Sequence, residues 1–393
     1  MDFIDIALIA FAGLLAVPTT VFALQVFLAA GAGRSSFQQT GVRSRMAVLM
    51  PAHNEAAVIV DTLSFILPQL DANDRLLVVA DNCSDDTAAL AKACGADVIE
   101  RHDASQRGKG YALDFGLRFL AEHNPPEVLI VIDADCQVSH QCIDTLARRA
   151  AVENRPVQAL YLMQAPPTQS LAQAIAEFAW LVKNQVRPLG FMRMGLPCQL
   201  MGTGMAFPWD VLQRADLAHG NMVEDMKMGI DLALQGFAPV FCPETLVTSE
   251  FPTSEQVTSK QRTRWEHGHL ATILAETPRL LRAAIRMRDS RLLVMALDLA
   301  VPPLSVLALN LFLLLSIALA LAIHVGGGLS VGLALLLNGL FAVATVLAWQ
   351  RFGRHILSGR QLLGIPAYII RKIPLYLGFL FRRQQEWVKT DRH

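Results

Sequence analysis

The sequence predicts an α/β domain on a mostly parallel sheet, flanked by helices long and apolar enough to cross a bilayer. Three observations carry this expectation. Short apolar runs alternate with helical stretches between residues 46 and 132. Two long blocks, Ile6 to Gly33 and Leu299 to Gln350, contain no Asp, Glu, Lys or Arg. The charged residues are gathered between those blocks and after the second one.

The chain has 393 residues, 34 basic and 34 acidic, so its formal net charge is zero and nothing global points to nucleic acid as a partner. Charged residues are only 17% and hydrophobic ones 53%, against about 25% charged in an ordinary soluble domain. That apolar content excludes a disordered chain. Three regions are expected: residues 1–43 as an N-terminal transmembrane helix and linker, 44–270 as a cytosolic α/β domain, and 271–393 as membrane and interfacial helices.

The first block exceeds the roughly 20 residues that a crossing needs and the 7–15 of a signal-peptide core, and no basic residue precedes it. A retained anchor is therefore expected. The second block fits two crossings with Gly326, Gly327 and Gly328 as the turn. Arg34, Arg43 and Arg45 follow the first span, and Arg351, Arg354 and Arg360 follow the last clear one. By the positive-inside rule both flanks are cytoplasmic, which makes the chain a multi-pass protein of the cytoplasmic (inner) membrane with its middle region in the cytosol. Residues 362–381 carry Arg371, Lys372 and two prolines and precede the basic Arg382, Arg383, Lys389 and Arg392. This segment is expected to be interfacial or re-entrant. Arg279, Arg282, Arg286 and Arg288 among Leu280, Leu281 and Ile285 suggest a basic amphipathic helix on the membrane surface. The six cysteines form no C-x-x-C pair and are expected to be free thiols.

Within the middle region, Met46 to Met50, Leu76 to Ala80, Ala96 to Glu100 and Val128 to Ile132 read as strands. Residues 56–67, 87–93 and 109–120 read as the helices between them. Parallel strands of this kind bind ligands beyond their carboxyl ends. There the sequence places Glu55, then Asp81 with Asp85 and Asp86, then Asp133 and Asp135. Gathered at one edge, unpaired carboxylates repel, and a hard divalent cation such as Mg²⁺ or Mn²⁺ would relieve them. Asp133 and Asp135 alternate at a strand end and project to the same side; Asp85 can equally be a helix cap. No glycine-rich phosphate loop is present, so a phosphate would be met by cations. Lys109 is one candidate, because a lysine opposes the dipole at a helix start unless it serves another purpose.

P-A-H-N-E, V-V-A-D-N-C-S-D-D-T, R-G-K-G, D-A-D-C, V-E-D and Q-R-T-R-W occur in this order between Met46 and Trp265. The chain resembles family 2 glycosyltransferases of the GT-A fold. More narrowly it resembles the membrane-integrated processive synthases of hyaluronan, chitin, cellulose and poly-N-acetylglucosamine, with ceramide glucosyltransferase a more distant relative. The resemblance implies that Glu55 and Asp81 hold the nucleoside of a UDP-sugar and that Lys109 lies near the diphosphate. Asp133 and Asp135 would be the D-x-D pair, with Asp135 ligating the metal directly. Asp225 would be the general base beside Glu224. Gln261, Arg264 and Trp265 match Q-x-x-R-W, in which the arginine contacts diphosphate and the tryptophan shapes the acceptor site. Gly202 and Thr203 lie where relatives line the acceptor pocket, although the sequence departs from the commoner forms there.

The chemistry is consistent with those roles. A leaving diphosphate needs cations, an attacking hydroxyl needs a carboxylate base, and a sugar ring stacks on an apolar platform. A single base without a covalent nucleophile implies inversion at the anomeric carbon. Expected partners are a nucleotide-sugar donor, a polysaccharide or lipid-linked acceptor and membrane lipids. A homo-oligomer or export partner would complete a thin membrane region. Elongation of a β-linked exopolysaccharide is the leading expectation, transfer of one sugar to a lipid the second, and a non-catalytic nucleotide-sugar-binding subunit the third.

Overall fold

A computed structural model describes residues 3–31, 43–166, 170–218, 223–251, 255–325 and 328–381. The expected turn residues Gly326 and Gly327, Arg34 and the basic tail from Arg382 onward lie outside them. In chain order the elements begin with α1 (Phe3–Ala30), β1 (Met46–Ala52), α2 (Ile59–Ile66), β2 (Arg75–Asp81), α3 (Thr87–Ala93), β3 (Asp97–Arg101), α4 (Lys109–Glu122) and β4 (Val128–Val131). There follow β5 (Gln137–Val138), α5 (Cys142–Glu153), β6 (Val157–Gln164), α6 (Leu171–Leu181), α7 (Arg187–Met192), β7 (Met205–Pro208), α8 (Trp209–Leu212), α9 (Glu224–Leu234) and β8 (Val240–Glu250). The chain continues through α10 (Glu255–Met287), α11 (Ser290–Leu299), α12 (Leu304–Val325), α13 (Leu329–Ala348), α14 (Ile365–Arg371) and α15 (Ile373–Phe381).

The chain divides into a sheet unit and a helical unit. The sheet unit holds all strands, in the order β3-β2-β1-β4-β7-β6-β8-β5. Val48, Leu77, Val78, Ile130 and Val131 are buried because these strands have helices on both faces, which is why they read as continuous apolar runs. β3, β2, β1 and β4 are mutually parallel, as the alternating pattern predicts. The sheet as a whole is mixed: β7 lies antiparallel to both β4 and β6. This reversal positions the site. Met205, at the start of β7, pairs with Val131 at the end of β4, so the Gly202–Gly204 loop enters at the carboxyl edge of the parallel strands.

The helical unit contains α1, α6, α7, α11 to α15 and the later part of α10. Residues 167–196, expected within the α/β domain, group here instead. Their apolar faces explain it. Phe178 packs where a side chain on Gly353 would stand, and Leu171 does the same at Gly364. Gly190 of α7 sits against the backbone of Gln25 in α1. Leu8, Ala12, Leu307, Leu311, Leu314, Ala318, Ala334 and Leu337 form an apolar core between α1, α12 and α13.

One polar network interrupts that core. The Gln25 amide donates to Asp298 Oδ1 at 2.6 Å. Arg187 donates from Nε to Gln25 Oε1 at 2.9 Å and from Nη2 to Asp298 at 2.7 and 2.9 Å. All three residues are buried, so each charge and amide has its partner inside the unit. Among the described residues four helices, spanning Ile4–Ala30, Leu304–Ile323, Leu329–Gly353 and Gln361–Phe379, are long and apolar enough to cross a membrane. The fourth has the lowest mean hydropathy, 1.3 against 2.2–2.7, and breaks between α14 and α15 at Lys372.

A methyl group on Gly190 would meet the carbonyl of Gln25, a backbone atom that cannot rotate away. Gly190→Ala is expected to destabilise the helical unit by about 1–3 kcal/mol, as overpacking does. Thermal melting of the detergent-solubilised protein measures this; an unchanged melting temperature would contradict the close packing of α7 on α1.

Candidate active site

The carboxyl ends of β1, β2 and β4 open into a cleft of about 360 Å³ in the sheet unit. Glu55, Asp81, Asn82, Arg107, Lys109, Asp133 and Asp135 line it, together with His53 and Asn54. The turn after β1 is held by left-handed Asn54, whose side chain receives the Ser84 amide at 2.7 Å. The Asp85 carboxylate accepts from the backbone N–H groups of Ala56 and Thr87, each at 3.1 Å. Hydrogen bonds from Thr87 and the backbone hold its carboxyl below the ordinary range against the opposing effect of burial. Asp85 therefore fastens the loops, as its alternative role in the sequence allowed.

Also lining the cleft, Lys109 forms an ion pair with Asp133 and donates to the Gly202 carbonyl at 2.7 Å. Burial opposes the Lys109 charge, but Asp133, Glu224 and Asp225 outweigh it and raise the ammonium above its ordinary value. A lysine at a helix start is explained by that acidic surround. Gly202 adopts a φ of +95°; a Cβ there would lie 3.5 Å from Asp225 Oδ2 and 3.9 Å from Lys109 Nζ. Asp225 thus faces the same small space as Lys109. It sits in the first turn of α9, where the helix dipole favours a carboxylate, and Gly236 ends the helix region at φ +95°. Burial, followed by the neighbouring Asp225 charge, pushes Glu224 up to about 7.

Thr203 is fully buried, and its hydroxyl accepts the Asp133 N–H at 3.0 Å. It supports the strand end from beneath rather than offering surface to a ligand. Gln261, Arg264 and Trp265 lie on one face of α10 at i, i+3 and i+4. Gln261 is buried with no hydrogen-bond partner for its Oε1 among the described residues, and Arg264 and Trp265 are half-buried. Burial lowers the Arg264 guanidinium, partly offset by the Glu224 charge. That coupling relates α10 to α9, although none of the three residues lines the cleft itself.

Several residues were not anticipated. Arg101, at the end of β3, is paired with Asp81 at 2.7 Å, and both side chains are 8% exposed. The carboxyl-edge rule that selects Asp81 applies equally to Arg101. Tyr161 of β6 is buried, with its hydroxyl 2.7 Å from Ser249, and burial together with Cys136, Asp133 and Asp225 raises its phenol well above the ordinary value. Alternation along β6 contains no sign of that neighbourhood, which depends on the sheet order. His267 and His269 are buried, and burial with Lys183 and Arg187 holds His269 well below its ordinary value.

Asp133, Asp135 and Cys136 present ligand atoms within 4.8 Å of one another. Burial raises the Cys136 thiol far above its usual value, so the two carboxylates are the available donors. Two hard oxygen ligands beside a cleft fit a divalent cation such as Mg²⁺ or Mn²⁺.

With this geometry the chain can be compared with known proteins. Residues 44–268, more than half of its length, match the family described as glycosyltransferase like family 2, and the chain belongs to that family. Its sheet unit has an α/β, GT-A-like fold. A probable glycosyltransferase of Bacillus subtilis strain 168, YdaM, is 25% identical over a match covering 58% of this chain and 56% of the relative. The match thus spans little more than half the length of that curated relative. The mannosyltransferase PcManGT of Pyrobaculum calidifontis, solved with GDP-Man and Mn²⁺, shares the fold at a TM-score of 0.53 and 18% identity. That likeness covers 96% of this chain and all of the other.

Because folding raises the proton affinity of Glu224, its stabilising contribution is complete below the ordinary value of 4.5 and is lost as pH rises through about 7. The metal-free protein is expected to lose stability over that interval more steeply than Glu224→Gln. Parallel melting-temperature profiles for the two proteins would contradict the burial of Glu224.

Proposed function

We propose that the chain is an inverting, metal-dependent glycosyltransferase that works at the cytosolic face of a membrane and elongates a β-linked exopolysaccharide from a nucleoside-diphosphate sugar. The observation that carries this is the convergence of Lys109, Asp133, Gly202 and Asp225 beside a cleft that Lys109, Asp133 and Asp81 line together. In this reading Asp81 and Glu55 hold the nucleoside. Asp135 and Asp133 would hold Mg²⁺ or Mn²⁺, which when bound would neutralise charge on the diphosphate. Lys109 and Arg264 add positive charge at the same group, and Gln261 supports Arg264 from one turn earlier on α10.

The acceptor hydroxyl attacks the anomeric carbon from the face opposite the diphosphate. Its proton passes to the Asp225 carboxylate. The bond from the anomeric carbon to the diphosphate oxygen breaks, and the nucleoside diphosphate leaves with the electron pair. Glu224 beside Asp225 keeps the pair from carrying two full charges, because its raised proton affinity favours the neutral form. Gly202 leaves room for the acceptor between base and lysine, and Trp265 offers the sugar an apolar face. The charge-free helices anchor the enzyme in the membrane, where lipids cover their exposed leucines and isoleucines.

A second reading, transfer of one sugar to a lipid acceptor, is favoured by the apolar packing between α1, α12 and α13, because a polymer path needs polar lining. Incubation of the purified protein in nanodiscs with a panel of nucleotide sugars, following nucleotide release and product size together, separates the two. Long chains support elongation, a single glycolipid supports the second reading, and no turnover with any donor would reject both. Asp225→Asn is expected to reduce transfer by at least about a thousandfold while nucleotide binding persists; near-normal transfer would remove Asp225 as base. Asp135→Ala is expected to abolish the enhancement of nucleotide binding by Mn²⁺ seen in titration calorimetry, and equal enhancement in both proteins would exclude that residue as a ligand.

A further inference from the structure

Strand β6 carries a carboxamide where its neighbours Val157, Ala159 and Leu160 are apolar: Gln158 is 0% exposed. An amide so placed is costly unless its hydrogen bonds are met within the protein. Here they are met. Its Nε2 donates to the carbonyls of Ala159 and Thr203, each at 2.9 Å, and its Oε1 accepts the Met201 N–H at 2.8 Å. Both amide protons and the oxygen are thereby used. Two of the three bonds go to the chain just before β7.

The sheet explains why a side chain is needed there. β6 and β7 pair antiparallel at Val157–Ala206 and Gln158–Met205, and the Ala159 N–H donates to the Gly204 carbonyl at 2.8 Å. Among the described residues the β6–β7 ladder ends there, and β6 continues beside β8 after a shift of register between Ala159 and Leu160. The Gln158 head has a donor and an acceptor, as a peptide group does, and extends the ladder to Thr203 and Met201. Other segments hold the same stretch: the Asp133 N–H donates to the Thr203 hydroxyl at 3.0 Å, and Lys109 to the Gly202 carbonyl at 2.7 Å. Gly202, between the two residues that Gln158 grips, is where an added Cβ would lie 3.5 Å from Asp225 Oδ2. We infer that Gln158 is a positioning residue of the transfer reaction: it fixes the Met201–Thr203 backbone, and with it the space between Gly202, Asp225 and Lys109 in which the acceptor hydroxyl reacts. This deepens the proposed function and rests on Asp225 being the base.

Loss of the Gln158 head acts unequally on the two sides of the site. The residues that line the cleft follow β1, β2 and β4, which pair with one another without β6. The nucleotide-facing side therefore keeps its frame. On the reacting side the buried Thr203 carbonyl and the Met201 N–H lose these partners, and the backbone shifts to regain them. A displacement of about 1 Å between reacting groups costs on the order of a hundredfold in rate. Methionine would fill the volume and make none of the bonds. Glutamate would keep the acceptor for Met201, but an ionised carboxylate would oppose the carbonyls of Ala159 and Thr203.

The test uses the full-length protein in nanodiscs with Mn²⁺. Turnover is followed with UDP-glucose, UDP-N-acetylglucosamine and GDP-mannose, and binding of UDP and GDP by calorimetry. For Gln158→Met, kcat on whichever donor the wild type turns over is expected to fall about a hundredfold, with the donor KM and the nucleoside-diphosphate affinity within about threefold of the wild type. Near-normal turnover in the folded variant would remove Gln158 as a positioning residue. A parallel loss of turnover and nucleotide affinity would do the same, because general damage to the sheet moves both. Gln158→Glu is expected to show the same split with a loss of about tenfold, and it decides the matter if the methionine variant does not fold. No turnover by the wild type with any of these donors would overturn the assignment together with the reaction on which it rests. An active wild type beside an equally active variant would overturn the assignment alone.

Discussion

The site depends on the placement of one cation, Lys109, among Asp133, Glu224 and Asp225. Three segments distant in the chain bring these groups together: the start of α4, the residues after β4 and the first turn of α9. Without the ammonium, three carboxyls would face one another in a partly buried space, and their repulsion would oppose the closure of the sheet edge. Lys109 also ties the Gly202 carbonyl, so the same side chain that balances the acids fixes the loop facing Asp225. Its charge is needed for the folded edge before any donor arrives, and the same charge is what a diphosphate would meet.

The sheet order gives this lysine its setting. Parallel strands alone would present β1, β2 and β4 at the carboxyl edge and leave α9 unrelated to them. The antiparallel β7 turns the chain round and brings Gly202 and Thr203 under Asp133. Tyr161 and Ser249 close the floor from β6 and β8. The carboxyl edge thereby gathers Asp81, Lys109 and Asp133 along one cleft, with Asp225 facing Lys109 across Gly202.

Much of this was legible from local pattern. The apolar runs at 46–50, 76–80, 96–100 and 128–132 fall within a residue or so of β1, β2, β3 and β4, because strands buried on both faces cannot alternate with polar residues. Asp81, Asp133 and Asp135 could be selected because residues after such strands must reach the ligand edge. Arg101 ends β3 at that same edge and was within reach of the same rule; only the register of β2 and β3 shows that it pairs with Asp81. Thr203 was assigned to the acceptor pocket, and only the antiparallel pairing reveals why it is buried. Residues 167–196 were included in the α/β domain as part of the expected 44–270 region, and Lys183 and Arg187 interrupt their apolar run. Arg187 is tolerated there because Gln25 and Asp298 satisfy it, a condition that no hydropathy window contains.

That last network has a bearing on how the protein is made. Gln25 emerges from the ribosome with the first apolar helix, Arg187 more than 160 positions later, and Asp298 after a further stretch of more than a hundred. The amide of Gln25 therefore spends most of translation without its eventual partners. The polar knot of the helical unit can close only when α11 has been synthesised, so the N-terminal helix is committed early in location but late in packing.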